Sequence, residues 1–227
     1  MIKYVIFDMD GTLIDTEPIF EKAWNEIGKK WGFDGIDKLY CQIVGRSVDT
    51  IIELLERTYG TEKDCRAFFS ERQQYFTTLI EHGVPFKPGC MELLRFLKAN
   101  NIRTALATST PMYIVEKNMR NTGIDEYIDE IVTSEMVVNG KPAPDIFLEA
   151  GKRIGAIKEE CIVCEDSYNG IIAAHAAGMK PVMIPDMLPP TKKTDAMVYK
   201  TCSDLFEVME LIKEENKNNK YIFGGQL

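Results

Sequence analysis

Short apolar runs rich in β-formers alternate along most of the chain with stretches whose apolar residues recur at helical spacing. The first run, Ile2 to Phe7, stops abruptly at Asp8 and the turn-forming pair Asp10-Gly11. Further strands are predicted at Arg103 to Ala107, Glu130 to Thr133, Cys161 to Cys164, Pro181 to Ile184 and Met197 to Lys200. Between them, Leu93, Leu94, Phe96 and Leu97 share one helical face, as do Ile146, Phe147, Ala150 and Ile154. The small residues from Ile171 to Ala177 suit close packing of a helix on a sheet. Runs of this kind, alternating with helices, predict an α/β fold: a parallel sheet with helices on both faces.

The segment from Asp15 to Phe86 departs from this alternation and shows only helical spacing. Thr16 as N-cap and Pro18 near the helix start introduce Ile19, Phe20, Ala23, Trp24, Ile27 and Trp31. Ile51, Ile52, Leu54 and Leu55 make a second stripe, and Phe68, Phe69, Tyr75, Phe76, Leu79 and Ile80 a third. Such stripes read as the core of a helix bundle. We therefore expect an all-helical domain over residues 15–86, inserted into a core domain formed by residues 1–14 and 87–227. The polar end, Glu214 to Lys220, is expected to fray into a loose tail.

Composition narrows the setting. With 227 residues, 45% hydrophobic and 27% charged, the chain has ordinary globular character and can bury enough apolar surface to fold without disulfides. No segment nears the roughly 18 apolar residues of a membrane span. The N-terminal run lacks a secretory cleavage site, so the expectation is a cytoplasmic protein with no membrane partner. A net charge of −8 argues against nucleic acid, which calls for clustered Lys and Arg, while a small anion can still bind locally. Cys161 and Cys164 have the spacing of a redox or zinc pair, yet they lie inside a strand-like run with no second pair to complete a metal site. The cysteines are expected to be reduced, and the chain to be a monomer.

Open parallel sheets bind ligands beyond the C-terminal ends of their strands, so polar residues at those ends carry the functional reading. The first strand leads into Asp8-Met9-Asp10-Gly11-Thr12, the second into Thr108-Ser109-Thr110, and the fourth into Glu165-Asp166-Ser167, while Gly140-Lys141-Pro142 precedes the helix of Ile146 and Phe147. Chain crossings can gather Asp8, Asp10, Glu165 and Asp166 at one edge, where their repulsion calls for a cation. Oxygen ligands without histidine favour Mg²⁺. Lys141 and the hydroxyls of Thr108 and Ser109 would then hold the outer oxygens of a phosphate, with Ser109 or Thr110 serving as helix cap before Pro111. In the inserted segment, Glu17 and Arg46 are the candidate substrate contacts, Arg46 as a cation for an anionic group. Gly11 stands fourth in its loop and follows a strand, unlike a calcium loop, and Gly140-Lys141 lacks the remainder of a P-loop. His82 and His175 are assigned no chemistry.

In this order, these residues resemble the haloacid dehalogenase-like hydrolase superfamily, with a match along essentially the whole chain. The family's D-x-D-G-T stands as Asp8 to Thr12, its strand-terminal hydroxyl is similar to Thr108, its lysine matches Lys141, and its acidic pair matches Glu165-Asp166. The resemblance implies a Rossmann-like core with a small helical cap closing as a lid. It implies Asp8 as a nucleophile forming an aspartyl-phosphate and Asp10 as acid and base. Mg²⁺ would be held by Asp8, the Asp10 carbonyl and Asp166, with Glu165 a ligand or neighbour of the ligands.

The insertion point resembles the subgroup that includes phosphoglycolate phosphatases, sugar-phosphate phosphatases and β-phosphoglucomutase. The mutase's cap histidine is replaced here by Phe20, its cap arginine is displaced relative to Arg46, and its later cap lysine has no counterpart among Tyr75 to Thr78. Loss of cap cations favours hydrolysis of a small phosphorylated metabolite over a mutase reaction. A silent phospho-ligand binder would have no need of Asp10, and a dehalogenase would need neither Asp10 nor Mg²⁺.

Overall fold

The computed structural model describes residues 1–43 and 48–223. They fall into two compact units, one of Met1–Asp15 with Pro85–Leu227 and the other of Thr16–Val84. The chain starts with β1 (Tyr4–Phe7), then runs through α1 (Glu17–Lys30), α2 (Asp37–Ile43), α3 (Val48–Tyr59) and α4 (Cys65–Leu79) in the second unit. Back in the first unit follow α5 (Cys90–Ala99), β2 (Arg103–Thr108), α6 (Met112–Thr122), β3 (Glu130–Thr133), α7 (Asp145–Ile154) and β4 (Cys161–Glu165). The chain closes with α8 (Tyr168–Ala176), β5 (Lys180–Met183), α9 (Lys192–Asp195), β6 (Lys200–Thr201) and α10 (Leu205–Phe223). No helix among the described residues is long and apolar enough to cross a membrane.

The strands form one six-stranded parallel sheet in the order β3-β2-β1-β4-β5-β6. Chain order reverses at β1, so the C-terminal ends of β1, β2 and β4 flank the crevice where such sheets bind ligands. Register sets the levels: Phe7 lies opposite both Leu106 and Cys164, so Asp8, Ala107 and Glu165 come next along adjoining strands. Ile6, Ala105, Ala107, Val163 and Phe147 of α7 meet in a core cluster that also takes Ala173 and Ala174 of α8. Val5 and Phe7, sent to the opposite face by strand alternation, are equally buried. Burial on both faces is why the strands read as unbroken apolar runs.

The reading of the C-terminal segment changes on inspection. The polar end does not fray at Glu214, because α10 continues to Phe223 and the Asn216 side chain clamps the start of the sheet. Ile2 N donates to Asn216 Oδ1 at 2.6 Å, and Asn216 Nδ2 donates to Ile2 O at 3.0 Å. Cys161 and Cys164, three residues apart on β4, project to opposite faces, and both are free, buried thiols. Burial pushes Cys161 up to about 12 and Cys164 well above its usual range, which suits core packing and not redox exchange.

Among its described residues the second unit forms helices and no strand, packed around Trp24, Phe33, Leu55 and Phe68. Trp24 is core: its Nε1 donates to Ile36 O at 2.9 Å and its ring meets Phe68 edge-on. Helix α1 starts where Thr16 and Pro18 indicated, but Thr16 already has helical dihedrals (φ −86°, ψ −17°) and its hydroxyl caps nothing. The chain enters and leaves this unit side by side. Asp15 N donates to Pro85 O at 2.8 Å, and Lys87 N to Leu13 O at 3.0 Å.

Candidate active site

The turn after β1 is fixed by its backbone: Leu13 and Ile14 donate to Met9 O at 2.9 and 3.1 Å, and Gly11 to Ile14 O at 2.9 Å. Gly11 has φ +79°, and a Cβ there would stand 2.6 Å from Asp166 Oδ2 and 3.0 Å from Asp186 Oδ2. Glycine is required by the dihedral and by the approach of those carboxylates. The loop leaves Asp8 buried at the crevice, its side chain 11% exposed.

Lys141 joins the separate strand ends. Its Nζ lies 2.5 Å from Asp8 Oδ1, 2.6 Å from Glu165 Oε1 and 3.0 Å from Ala107 O, which uses all its donors. The Phe147 ring lies 4.9 Å from the same nitrogen. Glu165 Oε2 accepts from both the N–H and the hydroxyl of Ser167, at 2.9 Å each, so both oxygens of Glu165 are engaged by protein donors. Ser167 also caps α8 by accepting from Gly170 N at 3.1 Å. A Cβ on Gly170 would fall 1.8 Å from Glu165 Oε1, so only glycine there lets the helix start close over this carboxylate.

On the β2 side, Thr108 is buried and its Oγ1 accepts from Thr110 N at 3.1 Å. The Thr110 hydroxyl donates to Asp10 Oδ2 at 2.5 Å. Neither Ser109 nor Thr110 caps α6, which starts after Pro111 without a side-chain cap. Ser109 is exposed, and its carbonyl accepts from Ser134 Oγ at 3.0 Å. Asp166 Oδ1 faces the Thr12 hydroxyl at 3.5 Å.

This geometry concentrates negative charge. Burial raises Asp8, Lys141 pulls it back, and Glu165 and Asp10 raise it again, leaving it at about 7. Asp166 is raised well above the usual carboxylate range by burial and then by Glu165 and Asp8. Burial would lower Lys141, but the carboxylates of Asp8 and Glu165 outweigh it and hold the ammonium charged. A single ammonium leaves this acidic set in excess, and Asp186 Oδ2 is buried beside it without a hydrogen-bond partner. The donor set is all oxygen and suits a hard divalent cation. Among the described residues no three His, Cys, Asp or Glu side chains are grouped to enclose an ion unaided.

In the second unit, Glu17 accepts from the Tyr40 hydroxyl at 2.5 Å, a contact supplied by α2, which the apolar pattern did not reveal. Arg46 lies outside the described residues. His175 is exposed near the end of α8. Within this unit, sequence reasoning passed over Arg72 on α4, buried with its guanidinium 4.5 Å from the Phe69 ring centroid and 5.6 Å from that of Phe20. Its sign in the sequence is an arginine between Phe68-Phe69 and Tyr75-Phe76, inside an aromatic stripe.

Known proteins are similar to this chain in sequence and fold. A phosphorylated carbohydrates phosphatase of Thermotoga maritima is 34% identical over 182 residues, covering 78% of this chain and 82% of the relative. A fructose-1-phosphate phosphatase of Escherichia coli is 33% identical over 184 residues, covering 78% of this chain and 94% of its own. Among solved structures, β-phosphoglucomutase from Clostridium difficile superposes with a TM-score of 0.74 at 28% identity, covering 98% of this chain and 99% of that one. The sequence profile described as haloacid dehalogenase-like hydrolase matches residues 5–184, from β1 to the end of β5 and so across every strand-end motif above. The chain therefore belongs to the haloacid dehalogenase-like hydrolase family.

Proposed function

We propose that this protein is a Mg²⁺-dependent phosphatase of small phosphorylated metabolites, phosphosugars foremost, working through an aspartyl-phosphate on Asp8. The observation that carries this is the Lys141 bridge between Asp8 and Glu165 at the strand ends, beside Asp166. Asp8 would attack phosphorus as the bond to the leaving oxygen breaks, and Asp10, oriented by the Thr110 hydroxyl, would give that oxygen its proton. Water then attacks the acyl phosphate, its proton passes to Asp10, and Asp8 is restored with release of phosphate. Thr108 offers its hydroxyl to the phosphoryl oxygens, while Lys141, kept in place by Glu165, contributes its positive charge. Asp8, Asp166 and the Asp10 carbonyl would hold Mg²⁺, which when bound supplies the positive charge that phosphoryl transfer needs.

The activities for which these relatives are named, on phosphorylated carbohydrates and fructose 1-phosphate, support the substrate class. Hydrolysis is favoured over isomerisation by Phe20, which stacks on Phe76 at 3.9 Å and has no proton to transfer. Asp8→Asn is expected to lower phosphate release from a panel of phosphorylated metabolites by at least about 10³-fold. Retained turnover would reject Asp8 as the nucleophile, and conversion of a sugar phosphate to its isomer without phosphate release would favour a mutase.

A further inference from the structure

Asp186, in the segment after β5, belongs to none of the strand-end motifs. Its Oδ1 accepts from Lys87 Nζ at 2.8 Å, and the same ammonium reaches Asp15 Oδ1 at 3.8 Å. Its side chain is 13% exposed, and Oδ2 is fully buried with no hydrogen-bond partner. Leaving such an oxygen without a donor is costly, unless something absent from the polypeptide supplies one.

The direction of that oxygen indicates what. The position a Cβ of Gly11 would take is 2.6 Å from Asp166 Oδ2 and 3.0 Å from Asp186 Oδ2, so the two carboxylates converge over the same bare stretch of backbone. Each is fixed through its other oxygen, Asp166 by the Thr12 hydroxyl and Asp186 by Lys87. Two oxygens pointed at one place repel unless a cation or a donor stands between them.

On the reading of the site given above, we infer that Asp186 is an outer carboxylate of the divalent-cation site. Its Oδ2 accepts from a water in the ion's shell on the Asp166 side, and Lys87 fixes its orientation. Mg²⁺ parts with its water reluctantly, so such a donor is available, and the interaction needs no direct bond between Asp186 and the metal. Asp186 is thus a positioning residue acting through the ion, and partners of this kind change metal affinity about 10- to 100-fold.

Calorimetric titration of Mg²⁺ into the full chain tests this without reference to turnover. Asp186→Asn keeps an acceptor for Lys87 but turns an amide N–H toward Asp166, and should weaken the Mg²⁺ Kd about 10- to 100-fold. Lys87→Met breaks the same ion pair while leaving the carboxylate, and should weaken it less. An unchanged Kd in Asp186→Asn overturns the inference and leaves the catalytic reading standing. Equal weakening by both variants also overturns it, by assigning the effect to the lost ion pair. No Mg²⁺ binding by the parent protein overturns both.

Discussion

Each unit buries a cation, and the two are held in opposite ways. Lys141 in the first unit spends every donor on oxygen, from Asp8, Glu165 and Ala107, and the carboxylates overcome burial to keep it charged. Arg72 in the second unit lies over the rings of Phe69 and Phe20, its Nε has no hydrogen-bond partner, and burial lowers it to about 10 against the opposing pull of Tyr40. Equal removal from water gives opposite shifts because the neighbours differ. Lys141 is a fixed part of a charge cluster, whereas Arg72 retains donor capacity that an anionic ligand could use.

The sharpest way to break this contrast is Lys141→Met, which would leave Asp8 and Glu165 facing each other without their shared cation. We expect a loss of about 3–5 kcal/mol in denaturant unfolding, as when one partner of a buried ion pair is removed. A loss under about 1 kcal/mol would show that the carboxylates do not depend on the ammonium.

Next in size is a pH effect. Asp8 is raised from 3.8 to about 7, so the folded protein binds that proton more tightly than the unfolded chain does. Its stabilising contribution is full below 3.8 and is lost as pH rises through about 7. With EDTA present, the Tm should therefore fall between those values, Asp8→Asn should flatten the fall, and Mg²⁺ should oppose it above pH 7. A flat profile in the parent would remove the charge-excess argument.

The smallest effect is expected at Arg72. Arg72→Met exchanges a buried guanidinium whose Nε has no hydrogen-bond partner for a side chain that packs on the same rings, so stability should stay within about 1 kcal/mol of the parent or rise. A higher KM for phosphosugars together with an undiminished Tm would assign the guanidinium to ligand binding. A loss of several kcal/mol would make Arg72 as structural as Lys141, and the two regions would no longer differ.

What could be read from the sequence follows from geometry. Strands buried on both faces leave unbroken apolar runs, so β1 to β5 were visible within a few residues, whereas two-residue β6 was misplaced along its run. Asp8, Lys141 and Glu165-Asp166 stood out because strand ends converge in any such sheet. The pairings among them were not legible. That Glu165 serves Lys141, that Thr110 orients Asp10 and that Asp186 faces Asp166 all depend on which distant segments lie side by side, and residue spacing carries no record of that. Asn216 was read as tail for the same reason: its partner, Ile2, is at the other end of the chain.

The hydrogen bonds between Leu13 and Lys87 and between Asp15 and Pro85 make the inserted helices a branch with a single root. Whatever is spliced between those points needs only ends that come together, since the register that aligns Asp8 with Lys141 is set without it. Over evolutionary time such a root would let the inserted gene segment be rewritten while the sheet keeps its register.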